Sequence, residues 1–171
     1  KDGLSKVLEW FLGGITVPEL QKNLEYKAGV KFVEAQYENQ PTINYNMRGK
    51  VNLPNLVTQI SLDPIRNQQI IQEIVEANKN KRKILVLTER RQQCFDLQSL
   101  LPSNISGGPY VGGMKEEDLN DSNTKDVIFA TYSMASEGYD NKTLDTLIMA
   151  TGRSDIEQIV GRILRQENSN P

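Results

Sequence analysis

The sequence predicts an α/β fold, a mostly parallel sheet with helices on both faces. Three observations carry that expectation. Short apolar runs at 83–88, 126–131 and 144–151 have the length and composition of strands buried on both sides. The segments between them place apolar residues at helical spacing. Strands that alternate with helices make a parallel sheet covered on both faces.

The elements follow in order. Leu4, Val7, Leu8, Phe11 and Leu12 predict a helix over 3–12, ended by Gly13-Gly14. Residues 15–60 carry a weaker pattern: a strand around 30–37, an Asn- and Gln-rich passage containing Pro41, and a short helix over 53–62. Asp63-Pro64 then opens a helix with a cap residue and a proline in the first turn. Ile65, Gln69, Ile70, Ile74, Val75 and Ala77 carry it to Lys79. The first strong strand, 83–88, leads into a helix over 90–101 with Cys94, Leu97, Leu100 and Leu101 inward. A glycine-rich loop and a charged helical patch at 114–121 precede the second strand, 126–131. A short helix over 133–137 and the third strand, 144–151, come next. Ser154 and Glu157 form a capping box for a closing helix that starts at Asp155.

Composition limits the chemistry. The 171 residues suit one domain, or one domain with a leading extension, and 37% hydrophobic residues supply a core for it. With no histidine, histidine-based acid–base catalysis and the usual zinc sites are excluded. Cys94 is the single cysteine, so no internal disulfide forms and a reducing, intracellular compartment is expected. No apolar run reaches the ~18 residues of a membrane span, and the start lacks the layout of a secretion signal. It also lacks an initiator Met, which points to a piece of a longer protein. Net charge is −2, yet Lys79, Lys81, Arg82, Lys83, Arg90 and Arg91 bracket the first strong strand. A basic rim of this kind can meet a phosphate backbone on an acidic protein, or be ordinary solvated surface.

Ligands of open parallel sheets bind outside the carboxyl ends of the strands. That rule selects three loops, 88–91, 131–140 and 151–155, which should open on one edge. The first, in LTERR, ends a strand with a hydroxyl and two arginines. The second, TYSMASEGYD, combines Thr131 and Ser133 with Gly138 and Asp140, a set that can face a phosphate and a sugar hydroxyl or merely cap a helix. The third feeds IEQIVGRILRQ, where Gln158, Arg162 and Arg165 fall on one helical face opposite Ile156, Ile159, Val160, Ile163 and Leu164. Two guanidiniums in such an array suit phosphate oxygens, while the plainer reading is a solvated amphipathic helix. GGPYVGGMK is not a phosphate loop, because Gly113 is followed by Met114 rather than by Lys and Ser or Thr.

Together these loops resemble the second RecA-like lobe of superfamily 2 helicases. LVLTERR is similar to motif IV, TYSMASEGYD to motif V and IEQIVGRILRQ to motif VI, in that order and spacing. DPIRNQQII and YVGGMK narrow the resemblance to transcription-termination helicases of large cytoplasmic DNA viruses and to phage-type branch-migration helicases. The resemblance implies a RecA-like three-layer sandwich over 63–166. It also implies a segment leaving the first lobe at 1–14, an extension or insertion at 15–62 and a tail at 167–171. Arg165 would be the arginine finger, Arg162 a second γ-phosphate contact, and Gln158 would orient the γ-phosphate or the attacking water. Gly138 and Asp140 would line the nucleotide, and Thr88, Arg90, Thr131 and Lys115 would face the nucleic-acid backbone. ATP with Mg2+ would be held mainly by an N-terminal RecA-like lobe of the same polypeptide. The expected partner is nucleic acid, DNA before RNA, with no membrane; the expected location is intracellular, the host cytoplasm or virion for a viral protein. Transcription or DNA remodelling would be the setting, and these residues alone would hydrolyse no ATP. RNA helicases and restriction- or remodelling-type translocases share the motifs, and a non-catalytic binding module on a degenerate lobe is a third reading.

Overall fold

The computed structural model describes residues 29–136, 139 and 141–153. Its regular elements begin with α1 (Leu53–Leu62) and α2 (Pro64–Lys79), followed by β1 (Ile84–Thr88) and α3 (Arg91–Leu100). Then come β2 (Gly107–Tyr110), α4 (Glu116–Thr124), β3 (Val127–Thr131), α5 (Tyr132–Ser136) and β4 (Thr146–Met149). The expected helices over 3–12 and from Asp155 lie outside the described residues.

The four strands form one sheet in the order β2-β3-β1-β4. Every pairing is parallel, with Ile84 opposite Val127 and Thr146, and Gly107 opposite Val127. Consecutive side chains of a strand point to opposite faces, and the packing follows that alternation. Ile84, Val86, Val127 and Phe129 join Ile70, Ile71 and Ile74 of α2 and Cys94 and Leu97 of α3 in one core. Leu85, Leu87, Ile128 and Ala130 turn the other way, onto Tyr132 and Ala135 of α5, Tyr139 and Leu144. The central strands β1 and β3 are thus buried on both faces, as their continuous apolar runs require. The edge strands β2 and β4, the latter expected to be buried as well, are largely half-buried.

Local chemistry sets the helix starts. Asp63 accepts the Arg66 N–H at 2.9 Å, with Pro64 in the first turn of α2. Asn52 accepts the Asn55 N–H at 3.3 Å to open α1. At the amino edge of the sheet Asp126 accepts Lys83 Nζ at 2.8 Å and Ser106 Oγ at 2.6 Å, joining the starts of three strands. The Lys83 ammonium, then the Ser106 hydroxyl, hold its carboxyl below the ordinary range.

Three further expectations are corrected. No strand forms at 30–37; that segment is an extended strap along α2. Its backbone bonds to side chains instead of a ladder: Gln69 donates to Glu34 O at 2.7 Å, and the Gln36 N–H donates to Gln69 Oε1 at 3.0 Å. The Glu38 N–H donates to Asp63 Oδ2 at 3.0 Å, and Lys31 pairs with Glu73 at 2.6 Å. The glycine-rich loop contains a strand, β2, at the sheet's edge, where Pro109 leaves no interior ladder bond unmade. Leu100, expected inward, is exposed at the last residue of α3.

Candidate functional site at the carboxyl edge of the sheet

Parallel pairing brings all four strand ends to one edge. Thr88 stands opposite Thr131, Leu87 opposite Met149, and Tyr110 opposite Ala130. The three loops picked out by sequence therefore do open together, as far as their described residues extend.

Thr151, just past β4, ties those loops to one another. Its hydroxyl accepts the Glu89 N–H at 2.9 Å, and its carbonyl accepts the Tyr132 hydroxyl at 2.5 Å. One buried threonine thus links the turns after β1, β3 and β4. Burial pushes the Tyr132 phenol up to about 12, the Glu89 charge adds to that, and Arg153 opposes it. Tyr132 consequently remains a donor at neutral pH. Arg153, given no role by sequence, lies 5.3 Å above the Tyr132 ring and 3.5 Å from the Glu89 carboxylate. Arg66 reaches in from α2 and donates to Ala150 O at 2.6 Å.

Behind this edge runs a buried polar chain. The Thr88 hydroxyl donates to Gln93 Oε1, Gln93 Nε2 donates to Asn67 Oδ1 at 2.9 Å, and Asn67 Nδ2 donates to Ser61 O at 3.0 Å. It fixes the end of β1 against α3, α2 and the end of α1. Thr88 also accepts the Arg90 N–H at 3.1 Å, and its side chain is 0% exposed. The expectation that Thr88 presents its hydroxyl to a nucleic-acid backbone is therefore corrected. Its donor and acceptor capacity is used internally, and it shapes the turn instead.

Arg90 has an internal duty too. Its Nη2 donates to Pro54 O at 2.6 Å and its Nε to Thr58 Oγ1 at 3.1 Å, so it clasps α1 to the carboxyl edge. Thr131 is half-buried, and its hydroxyl lies 3.1 Å from that of Ser133. Lys115 is exposed at the start of α4, beyond the turn at Gly112-Gly113. Gly113 has φ +83, and a side chain there would approach Arg91 Nη1 to 4.0 Å. Arg90, Arg91 and Lys115 thus place cationic groups along the turns that follow β1 and β2. Gly138, Asp140, Gln158, Arg162 and Arg165 lie outside the described residues.

Thr151, Tyr132, Gln93 and Asn67 were not singled out by sequence. Only Thr151 carried a usable signal, a hydroxyl at a strand end matching Thr88 and Thr131. Cys94, buried with its thiol pushed up to about 12, serves the core.

No protein-family model matches the chain. It is 35% identical over 176 aligned residues, 97% of its length, to the Acanthamoeba polyphaga mimivirus protein L396, named as an ATP-dependent RNA helicase. The chain is helicase-like. It spans 33% of that relative's length. The crystal structure of T4 UvsW superposes with a TM-score of 0.53 at 19% identity, over 70% of this chain and 26% of the other. That likeness shows the fold, a RecA-like α/β arrangement, and the described sheet of this chain is all parallel. The Pyrococcus furiosus Hef helicase domain gives 0.49 at 22% identity, over 67% of this chain and 26% of the other. Among the described residues of this helicase-like chain, no helix is long and apolar enough to cross a membrane.

Proposed function

We propose that this chain is the C-terminal motor lobe of an ATP-dependent nucleic-acid helicase or translocase. The observation that carries the reading is the cross-tied carboxyl edge, where Thr151 joins the turns after three parallel strands beside Arg90, Arg91 and Lys115. Open α/β sheets bind their ligands at that edge, and a rigid edge suits a lobe that must close on a ligand without losing its own geometry.

In this reading β4 delivers the chain through Thr151 into the segment bearing Gln158, Arg162 and Arg165. ATP and Mg2+ are held mainly by a preceding RecA-like lobe of the same polypeptide. Water attacks the γ-phosphorus and ADP leaves. Arg165 and Arg162 stabilise the charge spread over the transferring phosphoryl group, and Gln158 orients the water or the γ-phosphate. Gly138 and Asp140 line the nucleotide. Thr131, Lys115 and Arg90 face the nucleic-acid backbone. Thr88 supports that surface from behind.

DNA is the substrate expected from the motif resemblance, in transcription or DNA remodelling within an infected cell. The name of L396, an ATP-dependent RNA helicase, favours RNA as the second reading. Both are tested by ATP hydrolysis of the full-length protein with duplex DNA, single-stranded DNA and RNA; the strand that stimulates turnover is the track. Arg165→Ala should reduce turnover by about 10³-fold, the usual contribution of an arginine finger, with nucleic-acid affinity within a few-fold of wild type. Retention of turnover would remove Arg165 from the site. Stimulation by none of the three would sink the motor reading.

A further inference from the structure

Among the described residues outside the strap, the most exposed aromatic and sulfur-bearing groups sit on a small hairpin that the motifs do not involve. Tyr45 and Val51 form an antiparallel bridge, and the turn between them carries Met47, Arg48, Gly49 and Lys50. Isolated two-residue bridges are marginal by themselves, yet this turn is braced at every level. The Asn46 side chain accepts the N–H groups of Arg48 and Lys50 at 2.9 and 3.1 Å. The Asn46 N–H donates to Lys50 O at 2.8 Å, and the Gly49 N–H donates to Asn46 O at 2.9 Å. Gly49, at φ +69, takes the left-handed position that closes the turn. The Asn52 N–H donates to Asn44 O at 2.7 Å, and Asn44 Nδ2 donates to Asn55 Oδ1 at 2.9 Å, which seats the hairpin on the first turn of α1. Gln59 adds a two-way bond to Thr42 at 2.9 and 3.0 Å.

What this bracing holds out into solvent is informative. Tyr45 is 65% exposed and Met47 fully so, with no partner burying either. Arg48 and Lys50 use only their backbone in the turn; their side chains make no hydrogen bond or ion pair among the described residues. No acidic residue lies between Glu38 and Asp63, so the hairpin is a purely cationic projection on a chain of net charge −2. It is also anchored to the candidate site. Arg90, at the carboxyl end of β1, holds α1 through Pro54 O and Thr58, and α1 carries the hairpin.

We infer that this hairpin is a contact for single-stranded nucleic acid, an inference that rests on the proposed function and extends its surface beyond the helicase motifs. Arg48 and Lys50 neutralise phosphates, and the faces of Tyr45 and Met47 take unstacked bases. Base faces are offered by single strands and hidden in a duplex, whereas phosphate charge is common to both. Phosphates and base faces are shared by DNA and RNA, so the hairpin does not choose between the two sugars.

The test measures binding of the full-length protein to fluorescein-labelled oligo(dT) and oligo(rU) of 20 nucleotides across a salt series, by fluorescence anisotropy. Arg48→Gln with Lys50→Gln leaves the bracing N–H groups in place. It should lower affinity about ten-fold and flatten the slope of log K against log salt by about 1.4, two phosphates at ~0.7 each for a single strand. Tyr45→Val keeps a strand-forming residue at the bridge but removes the ring, and should lower affinity about five-fold or more. Wild-type binding with variants of unchanged affinity and slope overturns the inference and leaves the motor reading intact. So does an unchanged slope accompanied by a lowered melting temperature, which would mean that the hairpin packs on the rest of the protein. A wild-type protein that binds neither oligonucleotide overturns the motor reading itself, and the hairpin's role with it.

Discussion

Gln93 shows how much of the carboxyl edge hangs on one amide. It is 1% exposed, it accepts the Thr88 hydroxyl proton and donates to Asn67 Oδ1, while the Arg90 N–H reaches the Thr88 oxygen from its own turn. Gln93→Leu keeps the volume and the helix but leaves the Asn67 oxygen without its donor and the Thr88 hydroxyl proton without its acceptor, both buried. The expected cost is about 2–3 kcal/mol in urea unfolding, the desolvation penalty of orphaned polar groups. A change under about 0.5 kcal/mol, the scale of a surface substitution, would mean that the chain of amides is not the tie described. This residue was not legible in the sequence, where it is one of two adjacent glutamines on an amphipathic helix. Its burial is decided by Asn67 and Thr88, which approach it only after α2 and β1 have packed. Thr88 and Thr131 were legible as positions, because a hydroxyl ending an apolar run marks a strand end. The side-chain role of Thr88 was not, since the same hydroxyl can face outward or cap its own turn.

At the scale of elements, the apolar runs of β1 and β3 were read correctly as buried strands. β4, expected to be buried too, is an edge strand with Thr146 to Ile148 half-buried and Met149 exposed. The cap chemistry at Asp63-Pro64 placed the start of α2. Two other misreadings have one cause, a backbone partner supplied by tertiary structure. The strap at 30–37 has the apolar content of a strand but is bonded by Gln69 and Asp63. The loop at 107–110 has the composition of a turn but is bonded by β3. Gly108 explains why a strand so poor in side chains persists: a Cβ there would lie 2.9 Å from Ser122 Cα, so α4 packs directly on the bare backbone of β2. Gly108→Ala should force α4 outward at about 1–3 kcal/mol, the range for overpacking. Gly112→Ala is the control, since its Cβ would meet only Met134 Sδ at 3.9 Å. Equal stabilities of the two variants in urea would contradict the close approach of α4 to β2.

For the whole molecule, the resemblance carried by three motifs made the fold legible, and the sheet realises the shared edge on which those motifs depend. On the proposed function, however, half of the site's chemistry would have to come from outside the 171 residues, as the sequence alone indicates. No Gly-x-x-x-x-Gly-Lys-Ser/Thr loop occurs, and no Asp-Glu pair ends a strand. Positive charge at the transition state cannot replace what binds the triphosphate and its Mg2+, because phosphoryl transfer depends on positioning as much as on electrostatics. The 171-residue chain by itself should therefore release no phosphate from ATP above background, with or without oligonucleotide, while the full-length protein does so in a strand-dependent manner. Malachite-green detection of phosphate over hours checks this. Steady turnover by the isolated chain would show that it holds a complete nucleotide site of its own. Arg162 and Arg165 would then act on a phosphate bound within these 171 residues, and the proposed division of labour between two lobes would have to be abandoned.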